Sequence, residues 1–288
     1  MKKMMFKVMA TVGVLATLAV TPVFAAENAV PAYEVKFLLD DAKVLNEEHK
    51  LSELYCTDFK IDGYTTNVIQ YLETADRSFN NEGWINRIRY KENKGKHDIT
   101  FKKRYSVPND DIEAALTKAN EDGFNADDKA FEAEIDWSYD KMTLSFSTKE
   151  KLKGYSAFEL PDQTESSNYL KLYMPAVEKV AMAQPTGGNV IVAGRANTLV
   201  NDTVVCGPVQ ATVYEGEVAG LEVGIEVWPV YVKETGITEY ITEISFDADT
   251  FEEAAENRAK LQNALEEKGI LVHGGSLKTQ KVLSAYLD

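Results

Sequence analysis

The sequence predicts a β-rich α+β protein whose strands pair mainly in an antiparallel way, with helices inserted between them. Apolar and charged residues alternate with period two in six segments, which is the pattern of strands with two different faces. Helical patterns are fewer, and no repeat, linker or low-complexity tract divides the chain. We therefore expect one domain over residues 26–288.

The first alternating segment illustrates the pattern. Tyr33, Val35 and Phe37 share one face, whereas Glu34 and Lys36 share the other. The six predicted strands cover 33–39, 87–91, 99–105, 131–137, 221–227 and 240–246.

The clearest predicted helix covers 250–268. Thr250 and Glu253 have capping-box spacing, an apolar stripe follows them, and Gly269 can end the helix. Shorter helical patterns lie near 41–51, 110–120 and 167–182.

The charged strand faces allow more than one architecture. An open sheet or sandwich would turn them toward water, as antiparallel strands commonly do. The alternation alone favours this open arrangement. A barrel with a charged lumen and helices outside would turn the charged faces inward, and one detail favours it, namely long side chains of both signs on strand after strand. A transmembrane barrel is a third alternative, against which the helices and the acidic composition argue.

The first 25 residues have the three parts of a secretory signal peptide. Lys2, Lys3 and Lys7 precede an apolar stretch over 8–20, and Ala25 provides a small residue at the cleavage site. The stretch is shorter than the about 20 residues that span a bilayer. A lipid anchor would need a cysteine at the cleavage site, and the first cysteine of the chain is Cys56. We expect a periplasmic or secreted protein.

Net charge restricts the partners. The chain carries −15, and because the signal-like segment contributes three lysines and no acid, the remainder carries −18. Such a charge argues against nucleic acid and anionic membranes as partners, although a local cationic cluster can still bind a small anion. Cys56 and Cys206 suffice for one disulfide in an oxidising compartment, and the sequence leaves their pairing open.

Several catalytic motifs are absent from the sequence. It has no Walker A loop, no dinucleotide-binding glycine motif, no HExxH and no CxxC, and its three histidines are scattered. A zinc site and a Ser-His-Asp triad therefore have little support.

A group of motifs occupies residues 70–102. It consists of the run QYLETAD at 70–76, then Gly83, Arg87-Ile88-Arg89 and Thr100-Phe101-Lys102. These motifs resemble the adenylate cyclase/thiamine triphosphatase (CYTH) superfamily, whose members are also called triphosphate tunnel metalloenzymes. The resemblance extends less closely over about 32–282, through the paired glutamates Glu132 and Glu134, the strand of Glu243, and two C-terminal lysines, Lys278 and Lys281.

The resemblance implies a closed antiparallel β-barrel that forms a tunnel, with helices packed outside. Inward cations would hold a triphosphate-like anion, and inward carboxylates would hold Mg²⁺ or Mn²⁺, since hard cations prefer oxygen ligands. The implied phosphate-binding residues are Lys36, Arg87, Arg89 and Lys102. The implied metal ligands are Glu34, Glu132, Glu134 and Glu243.

Two departures from the family pattern leave the activity open. Ala32 stands where the family's first N-terminal glutamate is expected, and Ser245 stands where a second late carboxylate is common. The retained motifs favour an exported, metal-dependent phosphohydrolase acting on a triphosphate or inorganic polyphosphate. The departures favour a non-catalytic binding protein for a phosphorylated or other anionic ligand. The sequence leaves the substrate and the oligomeric state undetermined.

We predict that the exported protein begins near Ala26, because the signal-like segment ends there. Intact-mass measurement or N-terminal sequencing of exported material checks the prediction. Recovery of the full-length chain from the cytoplasm would contradict it.

Overall fold

The computed structural model describes residues 26–175, 195–275 and 278–288. The predicted signal peptide and the 176–182 end of the predicted third helix lie outside these ranges. Within the ranges, no helix is long and apolar enough to cross a membrane.

Ten strands occur in the described ranges. They are β1 (Ala32–Leu39), β2 (Thr65–Thr74), β3 (Trp84–Lys91), β4 (Lys96–Ser106), β5 (Glu132–Trp137), β6 (Met142–Leu152), β7 (Thr203–Val218), β8 (Leu221–Val232), β9 (Ile237–Ala248) and β10 (Leu271–Val272).

Eight α-helices occur in the same ranges. They are α1 (Asp41–Val44), α2 (Glu53–Asp58), α3 (Ser78–Asn81), α4 (Ile112–Glu121), α5 (Gln163–Tyr173), α6 (Arg195–Leu199), α7 (Phe251–Glu267) and α8 (Lys278–Leu287).

Strand pairing closes the sheet into a barrel. The order β1-β5-β6-β4-β3-β2-β7-β8-β9 returns to its start because β9 also pairs with β1, and β10 adds a short extension beside β1. The closed barrel implied by the resemblance is confirmed, with helices outside it except for α8, and the open-sheet alternative is wrong. The sheet is mixed, because β1 and β5 run parallel while the other pairs are antiparallel.

The alternation read from the sequence separates the outside of the barrel from its inside. On β1, Tyr33, Val35, Phe37 and Leu39 are buried in the main hydrophobic core, between the barrel wall and the helices. Glu34 and Lys36 point the other way and line the cavity inside the barrel. The charged strand faces are therefore internal.

Helix α7 covers the outer face of β1 and β9. It begins where the sequence predicted, with Thr250 Oγ1 accepting a hydrogen bond from the backbone N–H of Glu253 at 3.2 Å. The Glu253 carboxylate accepts from the backbone N–H of Asp249, one residue before the expected partner. Leu261 and Leu265 are fully buried against the core, so hydrophobic burial holds the helix in place.

Two of the strands that the sequence pattern missed have a physical reason to lack simple alternation. Eight consecutive residues of β2, from Asn67 to Thr74, are buried, since its outer face meets the core and its inner face meets other apolar side chains. The long β7 strand mixes buried and exposed positions without a regular period. A regular period of two requires one face that meets water along the whole strand, which neither strand has.

The two cysteines are not bonded to each other. Cys56 is half-buried on α2 and Cys206 is buried on β7, and both are free thiols. Burial raises the pKa of Cys206 to about 12, so this thiol is unreactive at neutral pH.

We predict that Leu261→Ala destabilises the fold by about 2–5 kcal/mol, because it leaves a cavity between α7 and the barrel. Urea denaturation followed by circular dichroism measures the change. Leu54→Ala, at a leucine that is 70% exposed on α2, is the control and should change stability by less than about 0.5 kcal/mol. Equal effects of the two variants would contradict this account of the core.

Candidate functional site

A polar cavity of about 420 Å³ runs through the barrel interior. Its walls come from β1 to β6, β8, β9 and the first turn of α8. The charged lining residues are Glu34, Lys36, Arg87, Arg89, Lys91, Lys102, Arg104, Glu132, Glu134, Asp136, Lys141, Lys149, Glu226, Asp247 and Lys278. We call this cavity the tunnel.

Three carboxylates meet on one wall of the tunnel. One oxygen each of Glu34, Glu134 and Asp136 lies within 4.8 Å of the other two. The parallel pairing of β1 with β5 produces the cluster, since it sets Glu34 beside Asp136 and Ala32 beside Glu134. We call these three residues the carboxylate cluster.

Two lysines neutralise most of this negative charge. Lys36 Nζ is 2.5 Å from Glu34 Oε2 and 2.6 Å from Asp136 Oδ1. Lys102 Nζ is 2.9 Å from Glu134 Oε1 and 3.5 Å from Asp136 Oδ2. Three carboxylates and two ammonium groups leave the cluster with about one net negative charge when all are ionised.

The lysines decide which carboxyls stay ionised. Burial by itself would raise the pKa of Asp136, but Lys36 and Lys102 outweigh it and hold that pKa well below its ordinary value. Burial raises the pKa of Glu34, and Lys36 offsets this only in part. Glu34 is therefore the carboxylate that takes up a proton more readily.

A row of cations follows the wall formed by β3 and β4. Arg87, Arg89 and Lys91 alternate along β3, and Lys102 and Arg104 continue the row on β4. Within the described residues, Arg89 and Lys102 have carboxylate partners, Arg89 through Asp98 at 3.8 Å. The other three form no side-chain ion pair within 4 Å in those ranges, so the row has an excess of positive charge.

Several polar atoms of this site are buried without a hydrogen bond in the described part of the chain. They are the Nε atoms of Arg87, Arg89 and Arg104, together with Asp136 Oδ2 and Glu243 Oε2, none of which forms a hydrogen bond there. A buried polar atom without a partner costs about 1–3 kcal/mol. The arrangement is therefore suited to a ligand that supplies acceptors to the arginines.

Burial and neighbouring positive charges lower the pKa values of two residues in the row. Burial and the neighbouring Arg87 lower the pKa of Arg89 to about 10. Burial, together with Arg89 and Arg87, lowers the pKa of Lys91 to about 8, although Asp98 opposes the shift. An anion in the tunnel would reverse both effects, because it stabilises the charged forms.

Lys278, at the start of α8, holds a second group of charges. Its Nζ lies 2.6 Å from Glu226 Oε2 and 2.6 Å from Glu243 Oε1, and 5.0 Å from the centre of the Trp228 ring. Burial would raise the pKa of Glu226, but Lys278 overrides it and lowers that pKa to about 2. Lys278 thus anchors α8 to the tunnel wall.

Helix α8 fills the other half of the barrel interior. Val282 and Leu283 are fully buried against a second apolar cluster, which includes Ile69, Trp228 and Ile241. These three share their strand faces with tunnel residues, so they point inward. The interior is divided into a charged half that holds the tunnel and an apolar half that α8 occupies.

The structure brings most of the predicted site residues together. Glu34, Lys36, Arg87, Arg89, Lys102, Glu132 and Glu134 all line the tunnel. The Glu132 side chain, however, is 78% exposed and pairs with Lys149 at 3.0 Å. Glu243 is only 3% exposed and faces Lys278. Neither belongs to the carboxylate cluster.

Among the charged tunnel residues that were not predicted as site residues are Lys91, Arg104, Asp136 and Glu226. Each lies on the charged face of a strand whose alternation was recognised in the sequence. Asp136, for example, lies on the same face of β5 as Glu132 and Glu134. Strand parity could therefore have identified them, whereas the family motifs did not include them.

The donor set fits a divalent cation. Three carboxylate oxygens from two strands suit Mg²⁺ or Mn²⁺, and Asp136 Oδ2 has no hydrogen bond within the described residues. Lys36 and Lys102 already contact the same oxygens, so the ammonium groups and a metal ion would compete for this place.

No protein-family model matches the sequence, and a search of curated proteins finds no match. A search of solved structures finds a candidate adenylyl cyclase from Hippeastrum, described as having a dominant triphosphatase activity. It is 13% identical, covers 88% of this chain and 98% of its own, and has a TM-score of 0.47. A candidate adenylate cyclase from Bacillus halodurans is 13% identical over 89% of this chain and 98% of its own, with a TM-score of 0.44. A third, from Vibrio parahaemolyticus, is 9% identical over 88% and 99%, with a TM-score of 0.39.

These similarities concern the fold and carry no argument about activity, because the identities and TM-scores are low. The strand pairing itself establishes the closed barrel. The chain has the tunnel-barrel fold that its resemblance to the CYTH superfamily implied.

We predict that Lys91→Gln stabilises the ligand-free protein at pH 7 by about 1–2 kcal/mol, less than the full pKa shift implies because water reaches this lysine. Below pH 8 the Lys91 ammonium group is charged in the folded protein and destabilises it, and the variant removes this destabilisation. As the pH rises from about 8 to 10.5, the folded wild type loses this proton before the unfolded chain does. The difference in stability between variant and wild type should therefore decrease to zero over this range. Thermal melting across this pH range measures it. A variant less stable than wild type at pH 7 would contradict the prediction.

Proposed function

We propose that this protein binds a triphosphate-like anion in its tunnel and hydrolyses the terminal phosphate with the help of a divalent metal ion. One observation carries the proposal. The same cavity is lined by a row of cations, three of them without an ion-pair partner among the described residues, and by a cluster of three carboxylates. Phosphate oxygens suit the cations and a hard metal ion suits the carboxylates.

Binding follows from the electrostatics of the row. Arg87 and Arg89 can each direct two N–H donors at phosphate oxygens, and Arg guanidinium groups remain charged at neutral pH. Their desolvation has already occurred on folding, so an entering anion receives hydrogen bonds without first removing the full hydration shell.

The carboxylate cluster would hold the metal ion. Glu34, Glu134 and Asp136 would be its ligands, and a divalent ion there neutralises negative charge on the phosphate that is transferred to water. Lys36 and Lys102 then lose their carboxylate partners. Their ammonium groups become available to the anion, which couples metal binding to phosphate binding.

A second candidate function is anion binding without turnover. The contacts of Lys36 with Glu34 and Asp136 favour it, since an ammonium group already occupies the place that a metal would take. Ala32, beside Glu134 in the strand register, supplies no fourth carboxylate. In this alternative the cluster orients the two lysines and holds no metal.

A purely structural role has less support. It requires a tunnel closed by its own salt bridges, whereas a cavity of about 420 Å³ is present. Export of the protein also remains a proposal from the sequence.

We predict that tripolyphosphate stabilises the purified protein by about 2.7 kcal/mol at a hundredfold excess over its dissociation constant. Thermal melting with and without Mg²⁺ or Mn²⁺ measures this, and a metal site would increase the shift. Arg87→Gln should abolish most of the shift, because the variant lacks a charge-assisted contact. Lys260→Gln, at a surface lysine on α7 paired with Glu256, is the matched control and should not.

Phosphate release separates the two functions. Hydrolysis in the wild type that is lost in Glu134→Gln would support the phosphohydrolase. Stabilisation without release would support the binding protein. The absence of a shift with every polyphosphate and metal tested would contradict both.

A further inference from the structure

The row of cations extends from one strand to the next. On β3 it contains Lys91, Arg89 and Arg87, and the residue next on this face is Ile85, which lies beside Lys102 on β4. Arg104 follows Lys102 on the same face of β4, and its backbone N–H donates to Gly83 O at 2.8 Å. The cations therefore occupy five successive levels of one wall, with Lys91 at one end and Arg104 at the other.

The length of this row exceeds that of a triphosphate. Residues on one face of a strand repeat every two positions, or about 6.7 Å, so five levels extend over roughly 25 Å of strand. Three phosphates that share bridging oxygens are much shorter. A tripolyphosphate ion on Arg87 and Arg89 would leave at least one end of the row without an anion.

Both ends of the row have unbalanced charge. Lys91 and Arg104 have no side-chain ion pair within 4 Å among the described residues, because Asp98 pairs with Arg89 and the carboxylate cluster pairs with Lys36 and Lys102. Both end residues line the tunnel. A wall that binds only three phosphates would need excess positive charge only near Arg87 and Arg89, at the middle of the row.

Resting on the proposed function, we propose that the preferred ligand is a linear polyphosphate longer than triphosphate that lies along this row. Lys91 and Arg104 are then the residues that determine specificity for chain length. Each contacts phosphates that a tripolyphosphate ion does not have.

The tunnel argues against a single-stranded nucleic acid as the linear anion. Single strands bind through aromatic side chains that stack with the bases, in grooves open to solvent. Here the two aromatic residues of the tunnel lining, Tyr71 and Trp228, are only 4% and 3% exposed, and the chain carries a net charge of −15. A ligand that has only phosphates fits this space.

Isothermal titration calorimetry without divalent metal, so that no hydrolysis occurs, tests the proposal with tripolyphosphate and linear hexaphosphate. We expect the wild type to bind hexaphosphate about tenfold more tightly, since a charge-assisted hydrogen bond contributes about that factor. In Lys91→Gln and in Arg104→Gln this ratio should fall toward one, mainly through weaker hexaphosphate binding. Lys260→Gln is the control and should keep the wild-type ratio.

The outcomes separate this inference from the proposed function. Equal affinities for the two ligands in the wild type, or an unchanged ratio in both variants, would overturn the inference and leave triphosphate binding intact. Failure of both ligands to bind, in this titration and in the melting assay with Mg²⁺ or Mn²⁺, would overturn the proposed function and the inference together. Binding of oligodeoxythymidylate of equal charge as tightly as hexaphosphate would overturn it in favour of nucleic acid. Lys91→Gln keeps the test valid if Arg104→Gln fails to fold, because it relieves charge repulsion in the free protein.

Discussion

The two salt bridges of Asp136 with Lys36 and Lys102 connect three strands across the inside of the barrel. Asp136 lies on β5, Lys36 on β1 and Lys102 on β4, and all three side chains are largely buried. Each of these charges would be costly to bury alone, and loss of one partner from such a pair typically costs 3–5 kcal/mol. The tunnel can hold charge only because these groups are set in register by the parallel pairing of β1 with β5. The position of the carboxylate cluster, and therefore of any metal ion, follows from that pairing.

The same closure obliges the chain to fill the remainder of the barrel. In the half of the interior away from the tunnel, apolar residues of β2, β7, β8 and β9 point inward. Val282 and Leu283 of α8 pack against them. Lys278 joins this apolar half to the charged half through Glu226 and Glu243. The C-terminal helix is thus part of the interior of the barrel, and its first turn lines the tunnel.

The cations on β3 and β4 are arranged at a cost to the ligand-free protein. Arg87 and Arg89 repel each other, the pKa of Lys91 falls to about 8, and three arginine Nε atoms are buried without a hydrogen bond in the described ranges. Barrel closure and the outer core hold these groups in place, since Ile88 and Tyr90 on the opposite face of β3 are buried. A bound polyanion would recover this energy, which is how a rigid site can favour one class of ligand.

The sequence by itself determined which face of each strand carries charge and where α7 begins, because alternation and capping are local properties of the chain. It did not determine whether those faces meet water or each other, since the same alternation suits an open sheet and a barrel. Only the pairing of β9 with β1 decides this, and it joins residues about 200 positions apart. The tertiary structure also decided that Asp136 belongs to the carboxylate cluster while Glu132 pairs with Lys149 and Glu243 with Lys278. Distances between carboxylates on different strands depend on register, and register is a property of the closed barrel as a whole.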